Sequence, residues 1–453
     1  MSDVEALMWT LEKDPHLSST FANVTVFDRP PDVARLRRRL ERAVAIVPRL
    51  RQRVLPGLGR LAPPAWGDDP ELDLDRHVRQ VALPAPGTER QLFDLAASLA
   101  AEPFDRSRPL WRFTVVDGLE GGRSAMVQQI HHTITDGEGG VRMSVEFIDA
   151  ERDAPEPEPV PIPPPTRERT PIGDDLLAVT GHVARRTAGM ARRLTGDVAG
   201  LALHPTRLAA VAGEGVATAQ SLARQALPSD RARSPLWTDR TLRRRLDVLR
   251  VPLDDAKRTA KALGGSVNDV FVAAVAGGAG DYHRARGHDV EQLRMAMPVS
   301  TRVKGGPATT NAFAPTRSLV DVGPDPRARF EAIRERLSVT KTERALSAVA
   351  GLAGVMNLLP TSVLVRVARS QVETVDFTTS NVRGAPFDLF IAGARIDANY
   401  PLGPVAGTAF NATTLSVAGS LDIGIHTDAG AVDEPESLRD AIEASFAELL
   451  ALG

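Results

Sequence analysis

Two adjacent histidines, His131 and His132, precede an acidic residue, Asp136, and three glycines (Gly137, Gly139, Gly140) follow close behind. The stretch from Ser124 to Arg142 runs S-A-M-V-Q-Q-I-H-H-T-I-T-D-G-E-G-G-V-R. An imidazole suits general base chemistry near neutrality, because its unperturbed pKa of about 6.5 lets it take a proton from a hydroxyl or a thiol. Such a base needs its ring held in one tautomer, and Asp136 can steady the loop by pairing with a cation. Two other readings fit the same residues. A metal would want a third and fourth ligand nearby, and the chain has no cysteine to supply one. A hydrogen-bonded histidine pair with a purely structural role is the other.

The flanking pattern says what must position these groups. Ser124 to His132 alternates like a strand, with Met126, Ile130 and His132 on one face and Val127 and His131 on the other. Neighbouring histidines on a strand point opposite ways, so they do different jobs. Thr133 to Gly137 breaks the alternation, the glycines allow a tight turn, and Val141, Val145 and Ile148 follow at helical spacing. Upstream, a strand at Phe113 to Asp117 and a turn at Gly118 to Gly122 make the histidine strand the second arm of a hairpin.

The H-H-x-x-x-D-G pattern formed by His131, His132, Asp136 and Gly137 resembles the signature of the coenzyme-A-dependent acyltransferase superfamily, which includes chloramphenicol acetyltransferase and peptide-synthetase condensation domains. Further stretches resemble the bacterial wax ester synthase/diacylglycerol acyltransferase family. They are Asp3-Val4-Glu5-Ala6, Pro109-Leu110-Trp111, Ser266-Val267-Asn268-Asp269-Val270, Pro298-Val299-Ser300-Thr301-Arg302 and Ser380-Asn381-Val382, with the closing hairpin from Phe410 to Asp428. Arg383 stands where that family carries a proline. The matches keep the family's order along almost the whole chain.

The resemblance implies two pseudo-repeated α/β (α+β) sandwich domains of the chloramphenicol acetyltransferase type, with the active site in a channel between them. It implies transfer of an acyl group from acyl-coenzyme A, a co-substrate and not a bound cofactor, to diacylglycerol or a long-chain alcohol. His132 would be the base, Asn268 an oxyanion donor, and Asp136 a structural residue braced by Arg302. Gly137 would shape the turn, and His131 would act through packing or a loop hydrogen bond. Trp111, Asp269, Ser380 and Asn381 would line the channel. Three other functions share these features: a same-fold transferase with an amine or polyketide hydroxyl acceptor, a non-catalytic lipid-binding protein, and a condensation domain cut from a synthetase.

Composition sets the outer bounds. At 453 residues the chain is too long for one compact core, so two domains are expected. A net charge of −2 gives nothing for nucleic acid to bind. With no cysteine there is no disulfide framework and no thiolate nucleophile. Met1 to Lys13 lacks the apolar core of a signal peptide, and no run of about eighteen uncharged apolar residues spans a bilayer. A cytoplasmic protein with peripheral membrane or lipid-droplet contact is therefore expected.

Along the chain, residues 1–150 read as an N-terminal domain. Val33 to Val47 is amphipathic, with Val33, Leu36, Leu40, Val44 and Val47 inward and Arg35, Arg37, Arg38 and Arg42 on the wet side. Residues 151–235 read as a connector, proline-rich to Pro171 and then helical, with a basic stretch from His182 to Leu194. Residues 236–453 read as the second domain. There Ser266 caps a helix with Asp269 as its capping-box partner, strands lie at Phe377 to Val382, Leu389 to Ile396, Ala409 to Val417 and Leu421 to Thr427, and a last helix carries Leu438, Ile442, Phe446 and Leu449.

Overall fold

Runs of alternating residues become strands, and amphipathic runs cover them. The computed structural model describes residues 1–57, 64–165, 232–300, 313–342, 356–357 and 360–453. The strands in chain order are β1 (Thr20–Phe27), β2 (Gln52–Leu55), β3 (Ala65–Asp68), β4 (Val78–Ala82), β5 (Trp111–Leu119), β6 (Arg123–His131), β7 (Arg244–Pro252), β8 (Gln292–Ser300), β9 (Phe313–Asp321), β10 (Phe377–Arg383), β11 (Phe390–Ile391), β12 (Ala394–Leu402), β13 (Phe410–Val417) and β14 (Ser420–Asp428). They build two six-stranded sheets, β11-β12-β1-β6-β5-β4 and β7-β14-β13-β10-β8-β9, with β2 and β3 as a separate ribbon.

The first sheet is covered on both faces. Phe27, Phe113, Val115, Met126 and Ile130 pack on Leu36, Leu40 and Val44 of the Val33–Ile46 helix. The alternate residues Val24, Val26, Val116, Ala125 and Val127 pack on Leu92, Phe93 and Ala96 of the Glu89–Ala101 helix. Period-two alternation therefore sorts β6 as expected. The Glu89–Ala101 helix starts with a capping box in which Thr88 and Gln91 bond each other's backbone.

The second sheet has two unlike faces. Phe377, Phe410, Ile423, Ile425 and Leu249 share one core with the Val267–Arg284 helix and the Pro435–Leu450 helix. Gly277 and Gly278 let the two helices close: a Cβ on Gly278 would run into the Ile442 backbone, and one on Gly277 into Ser445 and the Arg329 guanidinium. The opposite face carries Thr378, Ser380 and Val382 on β10, Asn411, Thr413 and Leu415 on β13, and Asp422, Gly424 and His426 on β14. That mostly polar face turns toward the first sheet. Asn399 N–H donates to Asp422 (2.7 Å), and His426 Nδ1 lies 2.8 Å from Gly403 O.

Three expectations change. The strand expected at Leu389 to Ile396 runs instead from Ala394 to Leu402 and belongs to the first sheet, where β12 pairs antiparallel with β1. Its residues complete an edge that β1 would otherwise leave unpaired, so the second half of the chain supplies two strands to the first sheet. Arg35 and Arg38 do not face only water. Arg35 donates to Ala154 O (2.6 Å) and Arg38 to Glu156 (3.1 Å), while Arg39 donates to Pro155 O (2.9 Å). The start of the proline-rich connector is thus tied to the helix by charge. Val145 ends outside the apolar face, 71 % exposed, and Phe147 takes the buried place instead. The basic stretch at His182 to Leu194 lies outside the described residues.

Candidate active site at the seam between the sheets

β6 ends at His131, and the chain then turns through Thr133, Ile134 and Thr135, all buried, into the Gly137–Ser144 helix. Asp136 is the N-cap of that helix and accepts from Gly139 N–H at 2.7 Å. The loop is therefore fixed at its far end by a cap, and at its near end by His131.

His131 is 1 % exposed. Its Nδ1 accepts from Thr133 N–H (3.1 Å) and lies 2.8 Å from Thr133 Oγ1. A ring nitrogen that accepts a backbone N–H carries no proton, so the proton sits on Nε2. Nε2 faces Glu12 Oε2 at 3.2 Å. Glu12 also accepts from Ser18 Oγ (2.7 Å) and Ser19 N–H (2.7 Å). Burial opposes ionisation of Glu12, yet the hydrogen bond and electrostatic attraction of the His131 N–H and the bonds from Ser19 and Ser18 outweigh it and leave the pKa below the usual value. Ser19 O in turn accepts from His132 N–H at 3.0 Å.

His132 points to the other face of the strand, toward Phe21, with ring centroids 4.6 Å apart. The residue keeps part of its surface open, but its ring is enclosed enough that loss of water dominates its charge. Dehydration pushes its pKa down to about 4, and His131 pushes the same way, while Asp136, a backbone hydrogen bond at Thr135 and Glu12 pull it up. The ring is neutral at pH 7 and able to accept a proton.

From this loop the seam continues into the second sheet. A Cβ on Gly137 would lie 3.0 Å from Val382 Cγ2, so the glycine lets the loop approach β10. Val382 and Ser380 share the seam face of β10, and Asn381 points to the opposite side. Asn381 Nδ2 donates to Asn268 Oδ1 at 3.3 Å, in the first turn of the Val267–Arg284 helix. The Nδ2 of Asn268 touches the Met297 sulfur at 3.9 Å. Gly137 meets Val382 on the seam face of β10, while Asn381 and Asn268 meet on its other face, one residue earlier in the strand.

Other expected site residues fall elsewhere. Trp111 is 1 % exposed, donates from Nε1 to Leu50 O (2.7 Å) and stacks on His77 at 4.5 Å. It sits in the core of the first sheet with its N–H satisfied by a buried carbonyl. The Asp269 carboxylate accepts from Ser266 N–H (2.8 Å) and Oγ (2.7 Å), which spends it on the helix cap. Arg302, expected beside Asp136, lies outside the described residues. Glu12, Ser19 and Thr133 were missed from the sequence. Nothing in local periodicity ties a residue after the first helix to a strand more than a hundred positions on.

Two further groupings are structural or empty. Ser234 Oγ lies 2.8 Å from His283 Nε2, and Asp376 accepts from Ser234 N–H at 2.9 Å. All three are buried, His283 Nδ1 donates to Ala279 O (2.7 Å), and Ser234 Oγ accepts from Trp237 N–H (3.0 Å), so the cluster ties backbone and has no open nucleophile. Among the described residues no three His, Asp or Glu side chains gather as metal ligands. Among them, too, no single helix is long and apolar enough to cross a membrane.

Residues 1–271 match the wax ester synthase/diacylglycerol acyltransferase catalytic domain, and residues 316–450 match the C-terminal domain of the same family. A Mycobacterium tuberculosis protein named as a candidate diacylglycerol O-acyltransferase is 35% identical over 469 residues, covering 100% of this chain and 92% of its own length. A second from that organism is 30% identical over 479 residues, covering 100% and 97%. Among solved structures, the wax ester synthase/diacylglycerol acyltransferase of Marinobacter aquaeolei superposes with a TM-score of 0.65 at 22% identity, covering 98% of this chain and 97% of its own. The starter condensation domain of rhizomide synthetase in complex with C8-CoA gives a TM-score of 0.59 at 13% identity, covering 100% and 94%. The two-domain acyltransferase architecture of these structures is the one described above. With both family domains in order along it, the chain is an acyltransferase that belongs to the wax ester synthase/diacylglycerol acyltransferase family.

Proposed function

We propose that this enzyme moves a long-chain acyl group from acyl-coenzyme A to the hydroxyl of diacylglycerol, of a long-chain alcohol, or of both. His132 takes the hydroxyl proton as the oxygen attacks the thioester carbonyl carbon. The carbon–sulfur bond then breaks, and the proton passes to the departing thiolate. Asn268 donates to the oxyanion between these steps. The observation that carries the reading is the placement of His132: part-open, beside Phe21, and on a loop whose Gly137 lies against Val382 of the second sheet.

The support has a chemical logic. A base with a pKa near 4 is weak, but it is never lost to protonation at pH 7, and Asp136 and Glu12 favour the imidazolium that forms during the reaction. Among the described residues the Asn268 amide N–H meets a thioether, a weak acceptor that a developing oxyanion would outcompete. Peripheral contact with a membrane or lipid droplet belongs to the same reading, since both acceptors partition into lipid. A variant of the rhizomide condensation domain is solved with both C8-CoA and Leu-SNAC, a leucine derivative, and an amine acceptor is therefore the second reading.

The test is thiol release from palmitoyl-coenzyme A with hexadecanol, then with dipalmitoylglycerol, then with a long-chain amine. His132→Ala should abolish ester formation while leaving the melting temperature in place. Release with the amine alone would select the second reading, and bound lipid without thiol release would make the protein a lipid carrier. Near wild-type turnover in His132→Ala would remove the base assignment.

A further inference from the structure

Glu12 lies outside the motifs quoted above, yet it is where the histidine loop is anchored. It follows the first helix as its C-cap and is brought to the end of β6 by the turn into β1. Its carboxylate makes three contacts, and all three lead to the loop. Oε2 faces His131 Nε2 at 3.2 Å, Oε2 accepts from Ser19 N–H at 2.7 Å, and Oε1 accepts from Ser18 Oγ at 2.7 Å. Ser19 is the residue whose carbonyl accepts from His132 N–H. His131 is the residue whose other ring nitrogen accepts from Thr133 N–H. One side chain therefore grips the backbone on both sides of His132.

We infer that Glu12 is a positioning residue for the acyl transfer: through His131 and Ser19 it holds the His132 ring in its reacting orientation and places a negative charge behind it. The inference rests on His132 being the base. The arrangement follows the logic of a carboxylate that orients a catalytic imidazole, except that here the carboxylate acts through the neighbouring histidine and not on the base directly. A shell that orients a reacting group is the commonest source of precision in such sites.

Among the described residues, the titratable groups that act on the base are His131 from β6, Asp136 from the following loop, and Glu12 from behind. Arg106, whose Nη2 donates to Trp9 O at 2.7 Å, is the cation that senses Glu12 from the loop before β5. Removing the Glu12 charge therefore makes His132 harder to protonate, which weakens the base and moves the acid limb of the rate to lower pH.

The experiment compares Glu12→Gln, Glu12→Ala, His132→Ala and the double variant Glu12→Gln/His132→Ala in the full chain. Readouts are thiol release from palmitoyl-coenzyme A, the pH profile of kcat/KM, and the ring-proton NMR titration of His132, which needs no turnover. Glu12→Gln keeps the size and a hydrogen-bond acceptor, so it should fold. It should lower kcat tenfold or more with KM changed less than twofold. The acid limb and the His132 titration should shift downward together, and the loss should not add to that of His132→Ala. Wild-type kcat and an unmoved titration in Glu12→Gln, beside an inactive His132→Ala, would overturn the role of Glu12 alone. Retained turnover in His132→Ala would overturn the base assignment and this inference with it.

Discussion

His426 gives a pH test of the seam that is separate from catalysis. The residue is 6 % exposed on β14, and its Nδ1 donates to Gly403 O at 2.8 Å. Burial pushes its pKa down to about 4, with Arg244 acting in the same direction and Gly403 and Asp428 against it. An unfolded histidine titrates near 6.5, so below that pH the unfolded chain binds a proton that the folded one refuses. Stability is thus intact above about pH 6.5 and lost as pH falls toward 4, where the folded ring also protonates. One pKa unit corresponds to about 1.4 kcal/mol, so the ring alone removes about 2 kcal/mol at pH 5 and about 3 kcal/mol below pH 4. His426→Asn keeps a donor for Gly403 O and has no proton to gain. Urea unfolding at about pH 7.5 and about pH 5 gives the change in stability between the two for each protein. The variant should lose about 2 kcal/mol less than wild type across that interval. An equal loss in both proteins would show that His426 is not buried neutral, and that the seam is wetter than the contacts described.

Three other outcomes follow from the same geometry. Asp136→Ala removes the cap on Gly139 N–H and should cost about 1 kcal/mol in a melting experiment together with most of the thiol release; an unchanged melting temperature would count against its holding the loop. Trp111→Phe strands the Leu50 carbonyl and should destabilise by about 1–3 kcal/mol with kcat per folded molecule unchanged, as read by unfolding and initial rates. Gly278→Ala forces a methyl against the Ile442 backbone and should cost about 1–3 kcal/mol in a denaturant titration.

What the sequence could show depended on how far apart the partners lay. His131 and His132 are adjacent, so strand parity alone put them on opposite faces, and the structure has His131 among loop bonds and His132 beside Phe21. The Ser266–Asp269 capping box spans four residues and was legible for the same reason. That very cap occupies the Asp269 carboxylate, which a motif match cannot reveal. Trp111 read as core packing or as a channel residue, because a motif names a position and says nothing of which neighbours surround it. The contact of Glu12 with His131, and the pairing of β12 with β1, join residues more than a hundred positions apart. No local period records them. The arginines on the Val33–Ile46 helix were correctly placed outside the apolar stripe, but the connector that covers them cannot be deduced from the helix alone.

The late arrival of β12 has a consequence for how the molecule is made. Val24 of β1 pairs with Tyr400, so the ribosome must deliver nearly the whole chain before the first sheet can close. Until then one border of that sheet carries open amide and carbonyl groups, an invitation to pair with a neighbouring nascent chain. Contacts of such long separation also slow closure. Synthesis rate and chaperone supply therefore bear on the yield of this enzyme.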